Sequence, residues 1–262
     1  MDVLALIESV GLPGRILASY LLGAVPFGFV MCRVLRGVDL REVGSGNIGA
    51  TNAMRVLGAP LGLIAFLLDT GKGFAPAFWL GAGDPTWQVA CGAAAVLGHV
   101  FPIYLGFKGG KAVATGCGAT LAIDPLIFVS VGVVWLVTLF VAGYVSLASI
   151  AMGVAFPIAA WALGQPPMVI AGTGGLTLLI LVRHRSNMKR LLDGTETRTK
   201  LWQKLWRRGS DVPEGPGASD ADAARLDAAG APHEKAAERD EPEGPGAKET
   251  KPDPSGPGRF KA

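Results

Sequence analysis

The sequence predicts an all-α integral membrane protein: a bundle of about seven transmembrane helices with its N-terminus outside and its C-terminus cytoplasmic. Three observations carry that expectation. Half of the residues are hydrophobic and only 17% are charged, against about 25% in an ordinary soluble domain. The apolar residues gather into runs separated by short polar loops. The loops alternate in charge, and cytoplasmic loops collect Lys and Arg.

The runs are expected at 16–32, 56–80, 87–106, 112–123, 125–141, 147–163 and 168–182. A bilayer-crossing helix needs about 20 mainly apolar residues, and unpaired backbone groups in lipid leave helices as the spanning form, since no period-2 alternation supports a barrel. The fourth run, with twelve residues, is too short to cross unaided. It borrows from the 107–111 loop or stays partly re-entrant. Loop charge decides whether it is separate from the fifth. The 33–55 loop holds four Arg, the 107–111 loop two Lys, and 183–209 nine Lys or Arg, whereas 81–86, 122–124 and 164–167 hold none. Seven spans put every basic loop inside; merging two would throw the 183–209 cluster outside. Arg15 is the one basic residue on the wrong side.

Asp69 and Lys72 sit inside the second run at i, i+3, close enough to pair. They read as a structural ion pair well away from the cytoplasmic loops. Pro26, Pro76, Pro102 and Pro157 suit kinks, and the many Gly and Ala suit close helix packing. Outside the bundle of residues 15–198, the segment 1–14 reads as an N-terminal extension on the outer surface. Residues 199–209 mix Leu and Trp with cations and suit the anionic inner leaflet. Residues 210–262, with 12 acidic and 7 basic residues, read as a disordered acidic tail. Cys32, Cys91 and Cys117 give neither a disulfide framework nor a zinc pattern. The N-terminus carries Asp2 and Glu8 rather than a basic n-region, so the first run reads as retained.

Three loops on the basic side have the composition of phosphate sites. In the first, Gly44, Gly46 and Gly49 permit turns other residues resist and would expose successive N–H groups as an anion nest. Ser45, Asn47, Thr51 and Asn52 add short donors, and Thr51 or Asn52 is placed to cap a helix running through Arg55. The Gly-Lys-Ser/Thr ending of a nucleotide loop is absent. The second loop is Phe107-Lys108-Gly109-Gly110-Lys111, a lysine at a helix entrance beside a flexible turn. The third is Arg183-His184-Arg185-Ser186-Asn187. There His184 and Asn187 share a helical face, while Arg183, Lys189 and Arg190 reach elsewhere, towards lipid phosphates. His184 is suited to donate to an anion, to hold a hydroxyl or to accept a proton. His99 reads as a packing or hydrogen-bonding group. Two distant histidines without a carboxylate cluster give no metal site, and no cofactor is expected. The basic stretch near 183–208 lacks a reading helix or an aromatic base platform, so membrane lipids rather than nucleic acid are its expected partner.

These motifs resemble the acyl-phosphate-dependent glycerol-3-phosphate acyltransferases of bacterial membranes. The matching stretches are Gly23 to Gly28 with Pro26; Gly44 to Asn52; Asp69-Thr70-Gly71-Lys72-Gly73; Gly98-His99-Val100-Phe101-Pro102 through Lys111 to Thr115; and Arg183 to Asn187 through Arg190, Gly194 and Glu196. Ala112 stands where the family typically has glycine, and Met188 where it has isoleucine. The resemblance implies transfer of an acyl group from acyl phosphate to the 1-hydroxyl of sn-glycerol 3-phosphate, giving lysophosphatidate and phosphate, at the inner membrane's cytoplasmic face. It implies catalytic roles for Ser45, Arg55, Lys111, His184 and Asn187, and substrate binding by Gly44, Gly46, Asn47, Gly49, Thr51, Asn52, Gly109 and Gly110. The acyl phosphate would sit in the Ser45–Asn52 loop. Arg55 and Lys111 would hold glycerol 3-phosphate, with His184 and Asn187 at its glycerol end. The base is His184 or a substrate phosphate oxygen, and the resemblance favours the latter. The alternative is a membrane transporter of phosphorylated metabolites, which should carry internal repeats and midplane broken helices. A non-catalytic scaffold binding anionic lipid would not need Gly- and Asn-rich loops. Acyl chain preference and oligomeric state stay open.

Overall fold

A computed structural model describes residues 11–199. The expectations for residues 1–10 and for those beyond 199, including the basic interfacial segment and the acidic tail, lie outside the described residues. The regular elements among them are helices: α1 (Gly11–Ala24), α2 (Phe27–Arg36), α3 (Ala50–Leu57), α4 (Ala59–Ala75, continued by a π turn over Pro76–Leu80), α5 (Pro85–Val100), α6 (Val113–Ile123), α7 (Pro125–Ala142), α8 (Val145–Ala162), α9 (Pro167–Arg183) and α10 (Arg185–Leu192).

Five stretches are long and apolar enough to cross a membrane: Gly11–Arg36, Ala59–Leu80, Pro85–Leu105, Pro125–Ala142 and Val145–Ala162. A sixth is added if α9 and α10, bent by 57° at His184, count as one. The protein is therefore a multi-pass membrane protein. The apolar outer faces agree: Leu126, Val129, Val133, Leu136, Val137 and Phe140 of α7 are all exposed, a surface suited to lipid rather than water. The fourth expected span is only the 11-residue α6, about 16 Å long at 1.5 Å per residue.

Proline and glycine set the breaks. Pro26 separates α1 from α2, and the Val25 carbonyl at the break accepts from Lys72 Nζ at 2.6 Å, so a neighbouring helix satisfies a freed backbone group. The second run does not begin at residue 56. Gly58, at φ 82° and ψ 170°, divides α3 from α4, and Pro60 occupies the new helix's first turn.

Glycine also sets how closely helices approach. A Cβ on Gly73 would strike the Thr115 backbone, and one on Gly118 the Thr70 carbonyl; α4 and α6 thus cross backbone to backbone. Gly23 and Gly98 do the same between α1 and α5, against Ala95 and Tyr20. Such small-residue contacts are how helices pack closely in lipid, where hydrophobic burial between helices is weak. The main apolar core lies where Ile127, Val131, Phe156, Val169 and Ile180 interlock between α7, α8 and α9, and it extends to Val96 and Val100 of α5 and Cys117 of α6.

Candidate functional site

The first loop is organised around Asn52. Its Nδ2 donates to Leu40 O and Val43 O, both at 3.0 Å, and its Oδ1 accepts from Ser45 N at 3.1 Å. The residue is 2% exposed, a post on which the loop is wound. Neither Asn52 nor Thr51 caps the helix: Gly49, extended at φ −79° and ψ 168°, holds the N-cap position without a side-chain bond. Nor do the glycine-flanked N–H groups form an open nest. Ser45 N is taken by Asn52, Gly46 N donates to Val43 O at 3.0 Å, and Gly49 N to Asn47 Oδ1 at 2.8 Å. Gly44 and Gly46 have φ of 57° and 67°, which favours glycine. The loop offers the exposed Ser45 hydroxyl and the Asn47 amide, whose oxygen is engaged with Gly49.

The second loop doubles back on the end of α5. Gly110 N donates to His99 O at 3.1 Å, and a Cβ on Gly110 would collide with the His99 ring, as one on Gly109 would with the His99 and Val100 carbonyls. α6 thus starts beside His99 rather than beyond it. Its first residue follows Ala112, which is fully buried at φ 68°. A left-handed conformation costs a residue with a Cβ about 1–2 kcal/mol, which explains why glycine suits this position.

The same fold-back corrects the placement of the buried ion pair. Lys72 Nζ lies 2.7 Å from Asp69 Oδ1, and His99 Nδ1 is 4.0 Å from that carboxylate oxygen. His99 in turn touches Gly110. Asp69 and Lys72 are therefore one side chain away from the second loop, not remote from it. Loop composition had no means of showing that the chain after Phe101 turns back into the bundle.

The third loop meets the second. Arg183 donates through Nε to Gly110 O at 3.0 Å and through Nη2 to Gly109 O at 2.7 Å; it ties the loops together rather than reaching towards lipid. Lys111 Nζ donates to Asn187 Oδ1 at 2.5 Å, and Asn187 Nδ2 donates to Glu196 Oε1 at 2.7 Å. Glu196 also accepts from Arg190 Nε at 2.6 Å. Burial pushes the Lys111 amine down to about 8; Glu196 opposes this, while Arg190, Arg55 and Arg183 reinforce it. At the kink after α9, His184 Nδ1 lies 2.9 Å from Ile180 O. Burial is the main reason its pKa falls to about 4, with Lys111 and Arg183 lowering it further. The ring is therefore neutral at pH 7, and the carbonyl contact fixes the proton on Nδ1.

All three loops line one polar cavity of about 270 Å³, walled by Ser45, Gly46, Asn47, Gly109, Lys111, Arg183, Arg185, Ser186 and Arg190. A second cavity, of about 260 Å³, is walled by Arg41, Ile48, Phe107 and Lys108 and shares Gly46, Gly109 and Arg183 with the first. Four cations and two hydroxyls around the first cavity suit a phosphate-bearing molecule. Of the residues anticipated from sequence, Ser45, Gly46, Asn47, Gly109 and Lys111 face this cavity. Gly44, Gly49, Gly110 and Asn52 shape its loops. Arg55 and Thr51 are exposed, Arg55 near enough for its charge to act on Lys111. His184 and Asn187 are buried, at 2% and 5% exposure, and stand behind the wall. Sequence reasoning missed the roles of Arg185, Ser186, Arg190 and Glu196. The available signal for Glu196 was its isolation, since it and Asp193 are the acids of a stretch crowded with cations.

A profile described as glycerol-3-phosphate acyltransferase matches residues 14–194. A glycerol-3-phosphate acyltransferase of Desulfotalea psychrophila is 45% identical over 195 residues, covering 72% of this chain and 96% of the relative. One from Geobacter sulfurreducens is 42% identical over 185 residues, covering 70% and 94%. Among solved structures, PlsY (YgiH), an integral membrane glycerol 3-phosphate acyltransferase in its glycerol 3-phosphate form, aligns with a TM-score of 0.71 at 40% identity. The alignment covers 74% of this chain and 98% of that one. Its lysophosphatidic acid form aligns with a TM-score of 0.69.

Proposed function

Because this chain belongs to the glycerol-3-phosphate acyltransferase family and is a membrane acyltransferase, we propose that it moves an acyl group from acyl phosphate to the 1-hydroxyl of sn-glycerol 3-phosphate. The products are lysophosphatidate and inorganic phosphate. The observation that carries this reading is the pair of adjoining cavities with a common wall at Gly46, Gly109 and Arg183. Two phosphate-bearing substrates need two neighbouring cationic sites, and a transporter needs one.

In this reading glycerol 3-phosphate occupies the more polar cavity, its phosphate held by Lys111 and Arg185 with Ser45 and Ser186 donating. Acyl phosphate presents its phosphate to Arg41 and Lys108 in the neighbouring cavity, where Ile48 and Phe107 accompany the start of the acyl chain. The glycerol hydroxyl oxygen attacks the acyl carbonyl carbon, the bond from that carbon to the phosphate oxygen breaks, and phosphate leaves carrying the electron pair. Acyl phosphate is a mixed anhydride with a good leaving group, so no covalent enzyme intermediate is needed. The rate gain comes from positioning and from cations facing the developing negative charge. The hydroxyl proton passes to a phosphate oxygen of substrate. A histidine whose pKa is about 4 is a weak base at pH 7, so His184 is assigned a positioning role, with Nε2 left for the glycerol end.

The reading also takes the apolar stretches as seven crossings, the short α6 among them. The N-terminus is outside, and the three loops face the cytoplasm at the bacterial inner membrane. Labelling single-cysteine variants near Ser45, Lys111 and His184 with a membrane-impermeant reagent tests the sidedness; reactivity on opposite surfaces removes the shared site. For the chemistry, the purified protein is given acyl phosphate and labelled glycerol 3-phosphate, and phosphate release and labelled lysophosphatidate are measured. Lys111→Ala and Ser45→Ala should lose most turnover; a wild-type protein that binds both substrates and releases no phosphate overturns the proposal.

A further inference from the structure

We infer that Arg183 is the positioning residue that sets the Gly109–Gly110 turn and so aims Lys111 into the polar cavity, an assignment that rests on the acyl-transfer reading of that site. The peptide unit is planar, with its C=O and N–H on opposite edges. The unit joining Gly109 to Gly110 is pinned at both edges: its carbonyl accepts from Arg183 Nη2 at 2.7 Å, and its N–H donates to His99 O at 3.1 Å. The next unit, joining Gly110 to Lys111, has its carbonyl held by Arg183 Nε at 3.0 Å. Two consecutive glycines have the widest backbone freedom of any dipeptide, so without these bonds the direction in which Lys111 leaves the loop is poorly fixed.

Charge gives a second argument. Both carbonyl oxygens belong to the second loop, and Gly109 lines both cavities. A carbonyl dipole turned towards a bound phosphate repels it. Arg183 turns the two oxygens onto itself and places a full positive charge on the wall common to the cavities. Two of its five N–H groups are used in doing so. Lysine cannot replace this fork: it is a point donor without the planar pair of N–H vectors that grips two carbonyls at once.

The test uses the full-length protein in detergent, with Arg183→Lys and Arg183→Ala compared with wild type. Turnover and glycerol 3-phosphate binding, read as a rise in melting temperature, are measured side by side. Arg183→Lys should melt near the wild-type temperature and raise KM for glycerol 3-phosphate roughly tenfold, the equivalent of losing about 1.4 kcal/mol of binding, with kcat much less affected. Added guanidinium should restore part of the affinity of Arg183→Ala, and ammonium should not. A purely structural arginine would instead lower melting temperature and active fraction and leave KM unchanged; that result overturns the inference, as does a Lys variant with wild-type KM. A wild-type protein that binds glycerol 3-phosphate without transferring acyl groups sinks the catalytic reading separately, because the binding comparison between wild type and Arg183→Lys still stands.

Discussion

Lys111 Nζ and Asn187 Oδ1 lie 2.5 Å apart across 76 residues of chain, and this bond joins the second loop to the third. Asn187 is held in turn by Glu196, so the ammonium is aimed by a relay that begins after α10. Asn187→Ala removes the acceptor and leaves a half-buried ammonium to find another. Hydrogen bonds to charged groups are worth about 1.5–3 kcal/mol. The expected result is a rise in KM for glycerol 3-phosphate of at least tenfold, read by steady-state kinetics. An unchanged KM with a lowered kcat would mean that Asn187 acts on the reacting hydroxyl and not through Lys111.

The Lys111 amine also predicts a pH dependence. Its pKa is lowered to about 8, so the free enzyme carries the cation below that pH and loses it above. A phosphate dianion needs the cation. KM for glycerol 3-phosphate should therefore climb as pH passes 8. Lys111→Arg keeps its charge throughout, since guanidinium stays protonated across the range, and should flatten the alkaline rise even if its absolute activity is poor. A rise of equal steepness in the Arg variant assigns the titration to another group.

The apolar runs and the three loops were legible in the sequence because both depend on composition: apolar stretches, alternating loop charge, and glycine beside Ser, Asn and Lys; the break at Gly58 inside the second run was not. What was illegible is what those residues bond to. Asn52 looked like a surface donor or a cap, yet it is buried as the post of its own loop, because Leu40 and Val43 return to it from twelve and nine residues away. Arg183 looked like a lipid contact and proved to be a clamp on Gly109 and Gly110. Along a straight span Asp69 and Lys72 are far from the cytoplasmic loops, yet the second loop folds back to within one side chain of Asp69. Each failure concerns a long-range partner, which no local pattern encodes.

Ala112 offers a test of backbone strain. It is buried with φ 68°, at the residue that launches α6. Ala112→Gly relieves about 1–2 kcal/mol of left-handed strain and loses one buried methyl, worth about 0.8 kcal/mol. Net stability should rise slightly, by no more than about 1 kcal/mol on that balance. The kinetic effect should be clearer, because a freer turn next to Lys111 relaxes its placement and shifts KM more than kcat. A melting temperature several degrees lower than wild type would show that the methyl's packing outweighs the strain.

Asp69 and Lys72 are 2% and 3% exposed and pair at 2.7 Å, with Lys72 also donating to the Val25 carbonyl. Breaking such a pair from one side strands a buried charge, at a cost of about 3–5 kcal/mol. Asp69→Asn and Lys72→Met should each lower thermal stability in detergent sharply. The double variant removes both charges, so it should recover part of the loss rather than add a second. Recovery will be incomplete, because Val25 O at the Pro26 break then keeps only the Phe27 N–H at 3.2 Å, and the first crossing loses a tie to α4. Glycerol 3-phosphate affinity should follow the same order, since His99 stands between the carboxylate and Gly110. Losses that simply add in the double variant would mean the two side chains act independently, and the ion pair would then carry little of the stability assigned to it.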